Sequence, residues 1–334
     1  MTSTAERLRT LFIGVFAVVL FGAIVFPGPP GAAGGRVGAA VARLAPASHG
    51  TRDVGAYGGL GAWIDAFDYV PAYQTGGPSA VRPAAVDDMA AQGVTTLFVQ
   101  AARNDPRSPN GIADREVLAQ FLVRAHRAGL RVVAWYLPRF ADIEVDLRNL
   151  LLLHEFEVLG HRFDGLAVDI EFTEDVPDHA ERGQRLLTLT QQLRERVGDD
   201  ALGAIVLPPV QTEVINPRLW PDFPWGALAP LYDVWLPMSY WTFRSADSGY
   251  QDAYTYNEES IRRLRANLDR PTVPVHAIGG IGDALRPGDL DRFGASLVAT
   301  DAVGGSIYDW ATLSPADRAD LAGASGPEGP LAQD

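Results

Sequence analysis

Between residues 59 and 323 the sequence predicts an α/β fold, a (β/α)8 or TIM barrel. Three observations predict it. Eight short apolar runs alternate strictly with eight helix-length segments, and repeated right-handed βα units of that number close into a barrel. Four of those segments run into a glycine, Gly93, Gly129, Gly160 and Gly198, the residue that most easily takes the left-handed stop of a helix. The third observation is the run Phe163-Asp-Gly-Leu-Ala-Val-Asp-Ile-Glu-Phe172. Split by the two-residue period of a strand, it puts Leu166, Val168 and Ile170 on one face and Gly165, Ala167, Asp169 and Glu171 on the other. An ordinary sheet strand does not bury acids in this way. A barrel strand does, because its inner face opens at the C-terminal rim.

Taken in order, strand 1 is Gly61–Asp65 and its helix spans about 80–92. Strand 2 is Thr95–Gln100, with a helix over 114–128; strand 3 is Arg131–Tyr136, with a helix from Val145 to Leu159 that stops at Gly160. Strand 4 is the acid-bearing run, followed by a helix over 179–197. Strand 5, Leu202–Leu207, leads through a long loop with Trp220, Phe223 and Trp225 into a short helix. Strand 6 is Val234–Tyr240, with a helix over 258–268. Strand 7 is Val273–Ile278, followed by Gly279-Gly-Ile-Gly282 and a helix over 290–299. Strand 8 is Gly305–Tyr308, and a last helix covers 315–322. The rival fold, an open doubly wound sheet, needs a Gly-rich phosphate turn after strand 1. Asp65-Ala-Phe-Asp68 stands there instead.

The flanks read differently. Arg7 and Arg9 precede an uncharged apolar run from Leu11 to Phe26, the pattern of a signal peptide or a short membrane anchor over residues 1–26. The arginines stay inside, so the following domain is expected on the extracytoplasmic side, secreted or membrane-anchored. Residues 27–58, rich in Gly, Ala and Pro, read as a flexible linker, and 324–334 as a polar tail.

Composition removes several chemistries. The 334 residues contain no cysteine and no lysine, so thiol nucleophiles, Schiff bases and a Walker lysine are excluded. A net charge of -13 speaks against nucleic acid as a partner. No metal-ligand spacing and no cofactor motif stands out, and no protein partner is indicated.

The C-terminal strand ends would deliver Asp65 and Asp68, Gln100 and Arg103, Trp135 and Tyr136, Asp169 and Glu171, Met238, Tyr240 and Trp241, His276, and Tyr308, Asp309 and Trp310. Carboxylates suit acid–base work and flat aromatics suit the apolar faces of sugar rings, a combination that suggests glycoside chemistry. Five of the seven tryptophans, all but Trp63 and Trp235, fall at these ends or in the strand 5 loop. His276 reads as a wall residue.

Asp164-Gly-Leu-Ala-Val-Asp169-Ile-Glu171 resembles the strand 4 motif D-G-x-D-x-D-x-E of the family 18 glycoside hydrolases, the chitinase-like group. Met238-Ser-Tyr240 is similar to that family's strand 6 motif, and Gly304-Gly305 to its entry into strand 8. The resemblance implies Glu171 as general acid, Asp169 as the residue that steadies a substrate acetamido group, and Tyr240 as its hydrogen-bond partner. From their places at the strand ends, Asp65, Gln100, Trp135, Tyr136, Met238, Trp241, Asp309 and Trp310 are candidate substrate contacts. Ala167 replaces an aspartate of the pattern, strand 3 lacks the S-x-G-G motif, and Trp310 lies one residue late. The D-x-E ending also resembles the family 25 lysozyme-like hydrolases, in which Asp65 would supply a further carboxylate from strand 1.

The function implied is an extracytoplasmic glycoside hydrolase acting on a cell-wall or chitin-like glycan. The alternative is a catalytically inactive carbohydrate-binding or envelope-scaffold barrel, favoured by Ala167. A phosphate-ligand enzyme, suggested by Gly279–Gly282, is the third reading.

Overall fold

A computed structural model describes residues 50–74 and 76–324. The expected apolar segment 1–26, most of the linker and the tail beyond 324 lie outside the described residues. Among the described residues no helix is long and apolar enough to cross a membrane.

Eight parallel strands form one barrel: β1 (Gly59–Ile64), β2 (Thr96–Gln100), β3 (Arg131–Tyr136), β4 (Gly165–Ile170), β5 (Leu202–Val206), β6 (Val234–Pro237), β7 (His276–Ile281) and β8 (Gly304–Tyr308). Each pairs with its neighbour in sequence, and β8 returns to β1. Bridges from Trp235 to Val275 and from Met238 to Ile278 join β6 to β7 and close the ring. The helices between them are α1 (Ala85–Ala91), α2 (Arg115–Arg127), α3 (Ile143–His154), α4 (His179–Val197), α5 (Trp225–Leu228), α6 (Ala253–Asn267), α7 (Asp289–Ala299) and α8 (Pro315–Ala324). The predicted (β/α)8 barrel is the observed fold.

Two hydrophobic layers result from the period of two. Outward-facing Leu97, Val99, Leu166, Val168 and Ile170 meet Leu118, Phe121, Leu150, Leu186 and Leu189 of the helices. Inside the barrel lie Tyr57, Trp63, Phe98, Trp135 and Leu236, all buried. Tyr57 closes the N-terminal end. A Cβ on Gly165 or Gly203 would stand within 2.9 Å of its ring or hydroxyl, so only glycine leaves room for it at those inner positions.

Three boundaries differ from expectation. Residues 51–58, expected in the linker, belong to the barrel unit: Arg52 is 5% exposed and Val54–Tyr57 form a 3-10 turn beneath the strands. The third helix stops at His154, and residues 157–162 make a small antiparallel hairpin instead of a last helical turn. Leu159 and Gly160 both have positive φ, 50° and 79°, which is the signature of a tight hairpin turn and not of a helix cap. Finally, β7 starts at His276 and runs through Gly279 and Gly280. Pro274 cannot donate to a ladder, so the strand begins after it. The glycine pair is therefore strand backbone pressed against Trp241, not a phosphate-binding turn.

Candidate active site

At the C-terminal mouth, β4 ends in the two acids. Asp169 is 5% exposed and its Oδ1 is buried without a hydrogen-bond partner. Glu171 lies one alternation further, half-buried at the rim. Burial drives both carboxyls toward the protonated form, and the charge of Glu171 adds to the effect on Asp169. Glu171 is pushed up to about 7. The small residues Gly165 and Ala167 precede these acids on the inner face.

Tyr240, beyond the end of β6, feels the charges of Glu171, Asp169, Asp309 and Asp65, after the larger effect of its own burial, and is held in its neutral form. Its hydroxyl makes no hydrogen bond among the described residues. Its ring lies 6.0 Å from that of Tyr308. Tyr308 in turn donates to Asp65 Oδ2 at 3.0 Å.

Asp65 does two jobs. Its Oδ1 accepts from the Phe67 amide at 2.6 Å, while its own amide donates to Asp68 Oδ2 at 2.9 Å, a capping box on the one-turn helix Ala66–Tyr69. Its other oxygen faces the mouth. Asp309, buried beside it, is raised to about 7, by burial first and by Asp65 second. Asp65, Asp68 and Asp309 bring carboxylate oxygens within 4.8 Å of one another, a set of hard oxygen donors of the kind that suits calcium or magnesium. Burial favours protons on Asp65 and Asp309 instead.

Below the rim is an aromatic floor. Trp63 and Phe98 stack at 4.4 Å with planes 3° apart, and Trp135 lies 5.8 Å from Trp63. Trp135 Nε1 is a buried donor without a partner. Met238 is buried on the inner side of the same mouth. Gln100 is spent on structure: its Oε1 accepts from Ala66 N and from Arg103 Nη1.

The structure thus brings together Asp169, Glu171, Tyr240, Asp65, Asp309, Trp135, Met238 and Gln100. Three expected substrate contacts face the helix layer instead. Tyr136 donates to Asp146 Oδ1 of α3 at 2.6 Å. Trp241 donates from Nε1 to Asp289 Oδ2 and packs on Phe293 of α7. Trp310 lies under the guanidinium of Arg318 of α8, 4.4 Å away. All three stand one residue off the inward alternation or beyond a strand end, where the backbone turns. Trp220 is also structural, fully buried against Arg182 at 4.1 Å. Trp63, set aside in the sequence, is the inner aromatic that was missed. Counting back by two from Asp65 would have found it. His276 lies at the start of β7, deep in the barrel. Nδ1 donates to the Tyr57 carbonyl at 2.7 Å and Nε2 accepts from Ser306, and burial lowers it to about 4, so the ring is neutral.

No family model matches the chain, and no protein of curated function matches its sequence. Solved structures do match in fold. An endo-beta-1,4-mannanase from Thermotoga petrophila superposes with TM-score 0.57 at 9% identity, covering 79% of this chain and 75% of that one. A class V chitinase from Pseudomonas fluorescens Pf-5 gives 0.54 at 10% identity, covering 79% and 98%. An endoglucanase from Pseudomonas stutzeri gives 0.51 at 15% identity, covering 75% and 85%. These neighbours are glycoside hydrolases, and at such identities what they share with this chain is the barrel.

Proposed function

We propose that the protein is a glycoside hydrolase in which Glu171 is the general acid. The observation that carries the reading is the state of the two acids on β4: both held toward the protonated form, and Asp169 with an oxygen that nothing among the described residues satisfies. Buried polar atoms without partners are costly, and a ligand that fills the mouth removes that cost here. Asp169 Oδ1 and Trp135 Nε1, one acceptor and one potential donor, match the N–H and C=O of an acetamido group. That match supports an N-acetylhexosamine-containing glycan as substrate.

In the proposed reaction, the Glu171 carboxyl gives its proton to the glycosidic oxygen as the C–O bond breaks. The acetamido oxygen of the substrate attacks the anomeric carbon from the opposite face, with its N–H held by Asp169 and its oxygen by the Tyr240 hydroxyl. Water then opens the cyclic intermediate, losing its proton to Glu171, which restores the acid. This substrate-assisted route needs no second protein nucleophile. If the sugar carries no acetamido group, Asp65, across the mouth, is the carboxylate that would stand in, once its Oδ2 gives up the Tyr308 hydroxyl. The apolar run at 11–26 supports placing this reaction outside the cytoplasmic membrane.

The test compares wild type with Glu171→Gln on chitin oligomers and on peptidoglycan, reading products by chromatography. Glu171→Gln should lose about 10³-fold or more in rate, and wild-type activity should fall as pH rises through about 7, where Glu171 gives up its proton. Equal rates for the two proteins would remove Glu171 from the mechanism. The second reading, a binding barrel without turnover, rests on Ala167, which leaves Asp169 without the acid neighbour of the family pattern. Binding of both glycans by a wild type that releases no product would favour it.

A further inference from the structure

Arg103 stands at the rim, in the loop after β2. Its guanidinium lies over two rings of the loop after β1, 4.7 Å from Phe67 and 5.3 Å from Tyr73. Nη1 is tied to Gln100 Oε1 at 3.0 Å. The group is therefore held in one place before any ligand arrives, the condition under which an arginine discriminates by geometry and not only by charge.

What it does not do is pair. The mouth holds Asp65, Asp68, Asp309, Asp169 and Glu171, and Asp65 senses the charge of Arg103. Yet among the described residues Arg103 makes no salt bridge. Asp65 is committed to the Phe67 amide and to Tyr308, and Asp68 accepts from the Asp65 amide.

The unused atoms are specific. Among the described residues, Nε of Arg103 is buried without an acceptor and Nη2 makes no hydrogen bond. These two nitrogens form one edge of the guanidinium fork. In four other arginines of this chain the same edge takes a carboxylate, Nε to one oxygen and Nη2 to the other: Arg107 on Asp105, Arg124 on Asp87, Arg139 on Asp175, Arg292 on Asp252. Arg182, Arg244, Arg265 and Arg318 share the unpaired Nε, and what sets Arg103 apart from them is its place beside Asp65. In Arg103 that edge is empty. Gln100, which holds it, lies two strands from β4, about 10 Å across the mouth at ordinary strand spacing.

We propose that Arg103 is a specificity residue of the site, and that its unpaired Nε/Nη2 edge receives, as the loop adjusts to the ligand, a carboxylate carried by a sugar adjoining the ring bound at Asp169 and Glu171. The substrate class is then an acidic glycan, a polymer in which N-acetylhexosamine is joined to a carboxylate-bearing sugar. This rests on the glycan reading of the site. Two chemistries supply such a group, a uronic acid with the carboxylate on the ring and a lactyl ether with it on a side arm.

The experiment measures binding to the full chain bearing Glu171→Gln, by calorimetry at low salt. The probes are a chitin tetrasaccharide, a hyaluronan tetrasaccharide and a peptidoglycan-strand tetrasaccharide, the last two also in carboxyl-reduced form. One acidic probe should bind about tenfold more tightly than its reduced form, and the arm that shows the gain identifies the carrier. Adding Arg103→Gln should collapse that ratio toward one. Arg103→Lys, which keeps the charge but not the fork, should recover only part of it. A ratio that stays near tenfold in Arg103→Gln means the residue only supports its loop and overturns the proposal. So does binding of the chitin probe with no gain from either carboxylate, which leaves the glycan reading intact. Binding of none of the probes overturns both.

Discussion

The two ends of this barrel are built from the same kinds of residue and use them in opposite ways. At the N-terminal end every polar group named here has partners. Arg52 reaches Asp200, the Phe163 carbonyl and the His154 carbonyl; His154 reaches Asp200; Tyr57 bonds the backbone of Leu166 and Ala201. Arg194 and the Leu202 amide share Asp233, and the Tyr57 carbonyl, His276, Ser306 and Trp63 form one chain of hydrogen bonds. At the C-terminal end, Asp169 Oδ1, the Glu171 carboxyl, the Tyr240 hydroxyl, Trp135 Nε1 and one edge of Arg103 have no hydrogen-bond partner among the described residues. Pairing marks the groups that hold the N-terminal end; the unpaired groups at the mouth are the ones the glycan reading uses, although Trp220, Trp235 and Arg265 also carry unpaired buried nitrogens away from it.

The comparison breaks most sharply in the rate. Glu171→Gln removes one proton from the mouth and should cost about 10³-fold in glycan hydrolysis, on the order of 4 kcal/mol in the barrier. The melting temperature should not fall with it. A variant that lost activity by unfolding would show both losses, so thermal scans beside the rate assay decide.

The opposite end should answer in stability instead. Asp200→Ala leaves the Arg52 guanidinium, 5% exposed, without its ionic partner. Breaking such a pair costs about 3 kcal/mol, to be read from denaturant midpoints. Any hydrolysis measured well below the new midpoint should keep the wild-type pH profile, because no group at the mouth has changed.

A smaller effect has the reverse sign. Glu171 is raised in the folded chain, to about 7. The stability tied to its proton is complete below the unfolded carboxyl range, about 4.3, and is lost as pH rises through about 7. Glutamine carries no charge to bury. Glu171→Gln should therefore be more stable than wild type at pH 9, by about 1–2 kcal/mol in denaturant unfolding, with the gap closing toward pH 5. A gap that widens toward low pH would mean that Glu171 is held by a positive partner, and the contrast between the two ends would fail.

How much of this was legible in the sequence follows the same division. The barrel was legible, because outward Leu166, Val168 and Ile170 and the repeated strand–helix units express its period directly. The β4 acids were legible for the same reason, since Asp169 and Glu171 share the alternation of Gly165 and Ala167. Tyr136, Trp241 and Trp310 misled because type and position were read without following each backbone to its facing. Tyr136 is one step off the inward alternation that holds Trp135. Trp241 and Trp310 follow strand ends, where the period of two no longer applies. The N-terminal plug was invisible for another reason. Residues 51–57 have the composition of a linker, and what orders them is contact with Phe163, Leu166, Asp200 and His276, all more than 100 positions away.

Two tyrosines give the finest test of the contrast, because the same change is made at each end. Tyr57→Phe deletes a hydroxyl that donates to the Leu166 carbonyl at 2.7 Å and accepts from the Leu166 amide at 3.1 Å. The amide is then left buried and unsatisfied, which costs about 1–3 kcal/mol of stability. Tyr240→Phe deletes a hydroxyl that makes no hydrogen bond among the described residues, although its residue is only 6% exposed. Its removal should leave stability unchanged or slightly raised, and lower the hydrolysis rate about tenfold, the worth of one hydrogen bond made in the transition state. If Tyr240→Phe unfolds as readily as Tyr57→Phe, its hydroxyl has a partner in the protein after all, and the mouth is not held open for a ligand at that point. If both variants keep full activity, Tyr240 touches the substrate with its ring alone.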